Sequence, residues 1–280
     1  MSALLSRFRR PGACLAAALL IALFLATACG GSASGHSTAA APSVRLATPP
    51  ALPTPPGAPD VTPPPTLPAD LSLLTLANKL RALPANYVPP DLVPIPREYV
   101  SSAGEQRLRR PAEEALVAML KAAQSGGLAI KVNSGYRSYD YQATVFRGEV
   151  ADYGCAQALR ESAVPGHSEH QLGLAADLTS ADVGWGLENS FAQTPEGRWL
   201  AAHAPGYGFV LSYTQGKEQI TGYIYEPWHY RYVTPPVAAA IEASGETPTE
   251  YLQALGSASM VNIVTPVASA TPGRDACSST

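Results

Sequence analysis

Ser168-Glu169-His170-Gln171-Leu172-Gly173-Leu174-Ala175-Ala176-Asp177 is the stretch on which the reading of this chain turns. His170 and Asp177 lie seven residues apart, with a glycine and two alanines between them. That composition suits a loop running into a strand better than one face of a helix. It places Asp177 on a core sheet and His170 in the loop that feeds it. The small residues let the backbone pass close to a metal ion.

A second segment, Glu226-Pro227-Trp228-His229, brings another imidazole to the same point from about 50 residues downstream. Two histidines and an aspartate form a borderline-hard donor set suited to Zn²⁺, with a fourth position left for water. His170, Asp177 and His229 are therefore the candidate ligands. His167 competes with His170, but it follows Pro165-Gly166 and has no partner at a recognisable offset. It reads as a rim residue or a solvated loop residue. Glu226 lies three residues before His229 and fits a general base, the bland alternative being a carboxylate that orients a ligand. Upstream, Ser134-Gly135-Tyr136-Arg137-Ser138 offers Arg137, whose planar fork suits an oxyanion. An exposed salt bridge is its ordinary alternative. Gln142 and Ser168 are candidate substrate donors or local caps. Tyr136, Trp228 and Tyr230 line a pocket or simply fill core. A nucleophile generator, a base and an anion stabiliser point to a peptide-bond hydrolase.

The whole chain bounds this reading. Its 280 residues carry a net charge of −3 and no dense basic run after the first residues. Nucleic-acid binding therefore lacks electrostatic support. Residues 1–28 read as an export signal: Arg7, Arg9 and Arg10 precede an almost wholly apolar run from Cys14 to Ala28, too short for a comfortable membrane span. Ala26-Thr27-Ala28 before Cys29 resembles a bacterial lipobox, although Leu25 sits one place upstream of the usual leucine. Cys29 is the candidate lipidation site and membrane anchor, with simple secretion as the alternative. Residues 29–70 are rich in Pro, Ser, Ala and Thr and read as a disordered tether. The folded domain is expected over 71–255 and a poorly ordered tail over 256–280. Cys155 and Cys277 are candidates for a disulfide in an exported protein, a pairing left open because Cys277 falls in that tail. A monomer is expected.

Within the domain, Arg110-Pro111-Ala112-Glu113-Glu114 opens a helix with proline in the first turn and acids after it, and Gly126-Gly127 closes it. Leu128 to Val132 reads as a strand and Asp140 to Ala151 as a helix. Ala175 to Leu178 reads as a strand, Glu196 to His203 as a helix, and Tyr207 to Leu211 as a strand. A further strand falls within Tyr223 to Tyr232. Two or three helices beside a central antiparallel sheet make this an α+β domain.

At these residues the chain strongly resembles the VanY-type D-alanyl-D-alanine carboxypeptidases, a zinc family that includes L,D-carboxypeptidases. The resemblance rests on Leu83-Pro84-Ala85-Asn86-Tyr87-Val88-Pro89, the Ser134 to Tyr139 loop, Pro165 to Gln171, and Tyr225 to Val233. It implies zinc on His170, Asp177 and His229, Glu226 as base, and Arg137 as stabiliser of the oxyanion or substrate carbonyl. Ser168 and Gln142 would sit at the substrate end, and peptidoglycan stem peptides would be the substrates. Where family members often carry Leu-Arg-Tyr-Pro, this chain has Leu211-Ser212-Tyr213-Thr214. The missing arginine is expected to alter substrate contacts. The rival readings are an L,D-carboxypeptidase acting on tetrapeptide stems, a non-catalytic zinc-containing wall-binding module, and a structural surface lipoprotein without zinc.

Overall fold

The computed structural model describes residues 70–259, 267–268 and 277. The expected signal segment, Cys29 and the tether up to residue 69 lie outside them.

The N-terminal part wraps around the domain before regular structure begins. Leu73, Leu74, Leu76 and Ala77 are buried, and two short strands come next, β1 (Arg81–Ala82) and β2 (Leu92–Pro94). The prolines at 84, 89, 90, 94 and 96 keep this wrap extended. β2 pairs antiparallel with β3 (Arg107–Arg109), which runs directly into helix α1 (Arg110–Ser125). Pro111 in the first turn suits the start of α1. Leu116, Met119, Leu120 and Ala123 form its buried stripe at helical spacing.

The central sheet comprises β4 (Ile130–Ser134), β5 (Ala175–Ser180), β6 (Phe209–Leu211) and β7 (His229–Tyr232), in the order β4-β5-β7-β6. All three pairings are antiparallel. All six residues of β5 are buried. It is an inner strand and reads as a continuous run rather than an alternating one. The register shifts between Val132 and Ser134, and such an irregularity bends a strand end and re-aims the residues beyond it. Here those residues form the loop bearing Arg137, which leads into α2 (Tyr139–Tyr153). Ser138 caps α2 by accepting a hydrogen bond from the Tyr141 amide.

Three further helices lie where the sequence suggests none: α3 (Cys155–Glu161), α6 (Pro235–Ser244) and α7 (Pro248–Ser259). Together with α4 (Pro195–His203) and the single turn α5 (Glu218–Thr221), the described residues hold seven α-helices rather than the expected two or three. Adjacent prolines at 235 and 236 look like breakers, yet both fall in the first turn, where no amide donor is needed. Leu252 of α7 packs with Val237 and Ile241 of α6 over Val210 of the sheet.

The expected end near Leu255 and the poorly ordered tail also need correction at the residues described. α7 continues to Ser259, and strand β8 (Val267–Ala268) pairs with β1. Cys277 is disulfide-bonded to Cys155 at the start of α3. No described helix is long and apolar enough to cross a membrane.

Leu116 is fully buried in the main core. Leu116→Ala is expected to lower the unfolding free energy by about 2–5 kcal/mol, read from urea melts. A loss under about 1 kcal/mol would show that α1 does not carry the core.

Candidate metal centre and catalytic cavity

Asp177 on β5 and His229 on β7 are direct cross-strand partners. Side chains so paired stand on one face of the sheet, about 5 Å apart at Cβ. Asp177 Oδ1 lies 3.1 Å from His229 Nδ1. His170 arrives from the short 3-10 turn Glu169–Leu172, which Ser168 caps by accepting the His170 amide hydrogen bond. The turn ends at Gly173, whose φ of +67° is left-handed and favours glycine. Chain direction reverses there and enters β5. His170 Nε2 lies 3.3 Å from Asp177 Oδ2. One ligand atom from each of the three residues lies within 4.8 Å of the others, and all three residues are buried.

Hydrogen bonds on the far sides of the rings decide which nitrogens face inward. His170 Nδ1 bonds the Gly135 carbonyl at 2.7 Å, leaving Nε2 toward Asp177 with no hydrogen-bond partner. Gly135 comes so close to Arg107 that a Cβ would stand 2.6 Å from the Arg107 oxygen. A side chain there would push the carbonyl that holds His170. His229 is set the opposite way. Its Nε2 bonds Glu169 Oε2 at 3.0 Å, so Nδ1 faces the centre. Glu169 in turn accepts from Ser212 Oγ at 2.6 Å and faces Arg231 Nη1 at 3.5 Å.

The electrostatics fit a cation. Burial would push the Asp177 carboxyl up, but His170 and His229 outweigh it and hold the group well below the usual carboxylate range. Burial, with Arg137 nearby, drops His170 to about 4. Burial also opposes charge on His229, yet the carboxylates of Asp177 and Glu169 overcome it and raise the group to about 10. A nitrogen and a carboxylate oxygen meet at 3.1 Å only with a proton or a metal ion between them. With the unpartnered His170 Nε2 and a donor set of two imidazoles and one carboxylate, the centre suits Zn²⁺.

The cluster forms one wall of a cavity of about 370 Å³. Arg137, Gln142, Ser168, Glu226 and Trp228 line it as well. Arg137 Nη2 stands 3.8 Å from Asp177 Oδ2, and its buried Nε has no partner. Glu226 Oε2 is 3.8 Å from His229 Nδ1. Burial raises the Glu226 carboxyl to about 8. Gln142 directs Nε2 to the Ala163 carbonyl at 2.7 Å and to Ser162 Oγ, so it also braces the cavity wall.

Two residues, Tyr136 and His167, stand elsewhere than the sequence suggests. Tyr136 does not line the cavity: its amide donates to the Arg107 carbonyl and its side chain is half-buried. Tyr230 is core. His167 is buried and bonded to the Asn78 carbonyl through Nδ1, away from the cavity rim. Glu169 is the functional residue that the sequence reading passes over. Ser212, at the expected arginine position, bonds Glu169 rather than lining the cavity. That departure therefore bears on the support of His229 as well.

Glu169→Gln should weaken zinc binding by roughly 10–100-fold, measured by competition against a chelator; unchanged affinity would remove Glu169 from the ligand-orienting role. Glu226 yields a second expected outcome. Its folded pKa lies above its unfolded value, so its contribution to stability is complete below about 4.5 and lost as pH rises toward 8. In chelator-treated protein, Glu226→Gln, which mimics the protonated acid, should therefore gain thermal stability relative to wild type between pH 5 and pH 8. A difference independent of pH would show that Glu226 is not buried in this way.

Residues 105–235 match the family model described as VanY, D-alanyl-D-alanine carboxypeptidase. A bifunctional D-Ala-D-Ala dipeptidase and D-Ala-D-Ala carboxypeptidase of Enterococcus gallinarum, VanXYC, is 31% identical over 192 residues, covering 65% of this chain and 94% of that protein. Among solved structures, the LdcB LD-carboxypeptidase, described for its peptidoglycan recognition, is 42% identical with a TM-score of 0.60, covering 65% of this chain and 86% of that one. A mutant of the vancomycin resistance D,D-pentapeptidase VanY in complex with Zn(II) is 34% identical with a TM-score of 0.54, covering 65% of this chain and 99% of that one. By its matched segment, its relatives and its α+β architecture, the chain belongs to the VanY family of D-alanyl-D-alanine carboxypeptidases.

Proposed function

We propose that this protein is a zinc carboxypeptidase that removes the C-terminal D-alanine from peptidoglycan stem peptides, exported and held at the outer face of the membrane through a lipid on Cys29. The observation that carries this reading is Glu226. It is a carboxylate 8% exposed, 3.8 Å from His229 Nδ1 and facing the same cavity as Arg137. A structural zinc would need no such base beside it.

When bound by His170, Asp177 and His229, zinc would supply Lewis acidity toward the peptide carbonyl and make water more acidic. The chain's own residues do the rest. Glu226, which faces the cavity with Oε2 3.8 Å from His229 Nδ1, takes a proton from the attacking water as its carboxylate. It later delivers that proton to the departing amine of D-alanine. Arg137 holds charge developing on the carbonyl oxygen with its fork of donors. His170 stays neutral, as burial favours, and so remains a donor of electrons rather than of a proton. Trp228 and Tyr213, on the cavity wall, keep bulk water from the reacting bond.

A second reading, L,D-carboxypeptidase action on tetrapeptide stems, is favoured by the likeness to LdcB.

Residues 60–280 are incubated with a muramyl pentapeptide and with the matching tetrapeptide, and released D-alanine is measured alongside zinc content. Release from the pentapeptide, lost on chelation, supports the D,D reading; release from the tetrapeptide alone transfers it to L,D. Glu226→Gln should lower turnover by at least about 100-fold with zinc still bound. Normal turnover in that variant would refute its role as base.

A further inference from the structure

Lys79 lies outside the catalytic set, in the wrap that precedes β1, yet its ammonium is aimed at the cavity wall. Nζ sits 3.6 Å from the centroid of the Tyr223 ring. It also donates a hydrogen bond to the carbonyl of Leu159 in α3. Among the described residues it has no carboxylate within ion-pair distance. Its stem lies against Gly222: a Cβ on that residue would stand 2.7 Å from Lys79 Cγ. Gly222 has a φ of +78° and immediately precedes Tyr223. The backbone thus makes room for this one side chain.

The contacts continue inward. Tyr223 is 3% exposed and its ring lies 4.6 Å from that of Tyr213. Tyr213 in turn lies 4.7 Å from the imidazole of His229. Both tyrosines line the catalytic cavity and pack with Ala163. Ala163 comes two residues after α3 and also lines the cavity. Lys79 therefore joins two walls, the tyrosine pair and the outlet of α3. A partly buried ammonium over a ring face is attracted by the ring quadrupole, more strongly as water is excluded. Burial is the larger influence on this lysine and drops it to about 8, while Glu226 favours its charge. An apolar side chain would fill the same space without that cost.

We propose that Lys79 is a positioning residue: its ammonium, held between the Tyr223 ring and the Leu159 carbonyl, fixes the Tyr223–Tyr213 wall and thereby the placement of the peptide in the cavity. Its part in turnover rests on the hydrolase reading, whereas its hold on the wall does not.

The test compares wild type, Lys79→Met and Lys79→Arg, each zinc-loaded, with metal content measured on every sample. Kinetics are measured on whichever stem peptide the wild type cleaves. Lys79→Met should raise KM roughly three- to thirtyfold, the span of a partly desolvated cation–π contact, with kcat within about twofold and zinc retained. Lys79→Arg, which keeps charge, donor and stacking, should restore most of the loss. NMR of ¹³C-labelled tyrosine rings, assigned with Tyr213→Phe and Tyr223→Phe, should show faster ring motion of Tyr223 and Tyr213 in Lys79→Met only. Unchanged KM and unchanged ring motion in Lys79→Met would overturn the proposal. So would equal falls in thermal midpoint, zinc content and kcat without a change in KM. If wild type cleaves neither peptide, the hydrolase reading falls, and the ring signals alone still decide whether Lys79 holds the wall.

Discussion

Everything at the centre depends on the register between β5 and β7. Asp177 stands opposite His229 because Ala175 pairs with Arg231 and Ala176 with Tyr230. A slip of one residue would turn Asp177 to the other face and separate the two side chains. Register is strongly specified here because β5 is buried along its whole length. The same strand pairs with β4 on its other side, and Ser134 at the end of β4 stands opposite Asp177. The loop that carries Gly135 and Arg137 thus leaves the sheet beside the cluster. Three sequence-distant groups reach one point because one strand is shared by both pairings.

Around that strand lies an unusual density of buried charge. Glu169, Asp177, Glu226, His229 and Arg231 are all at least nine-tenths buried. Desolvation of such groups is costly unless each is paired and hydrogen-bonded. Arg231 shows how the fold meets this demand. It faces Glu169 on one side and donates to the carbonyls of Leu73, Thr75 and Tyr232 on the others. The N-terminal wrap is thereby part of the site's support, even though it carries no ligand. Glu226 is the exception among the acids, the one whose carboxyl burial lifts to about 8. A carboxyl lifted by burial toward neutrality is suited to moving protons; an acid held low is suited to binding.

The C-terminal segment adds a second layer of attachment. β8 pairs with β1, and Cys277 is bonded to Cys155 at the start of α3. β1 is succeeded directly by Leu83, whose amide donates to the Gly166 carbonyl just ahead of Ser168. α3 runs out into Ser162 and Ala163 on the cavity wall. The disulfide therefore falls on a segment that reaches the cavity wall, and the strand pair on one that braces the approach to Ser168.

Much of this was legible in the residue order. The candidate ligand set and the candidate base emerge from residue chemistry, since two imidazoles, a carboxylate and a nearby glutamate carry their meaning in any fold that brings them together. Helix α1 announces itself through Pro111, the acids after it and a regular apolar stripe, and β5 through its small apolar run. The helices α6 and α7 were hidden because a proline pair resembles a break and because a tail rich in Ser, Ala and Thr resembles a linker. Their helicity is secured by burial of Val237, Ile241 and Leu252 against one another, a contact no local pattern encodes. The tertiary structure alone decided which nitrogen of each histidine faces inward, why Glu169 matters, what Ser212 does and where Lys79 points. Each of these depends on a partner far along the chain, sixty residues from Glu169 to His229 and eighty from Lys79 to Leu159. A hydrogen bond depends on position to within a fraction of an ångström, and over such separations only the packed fold sets that position.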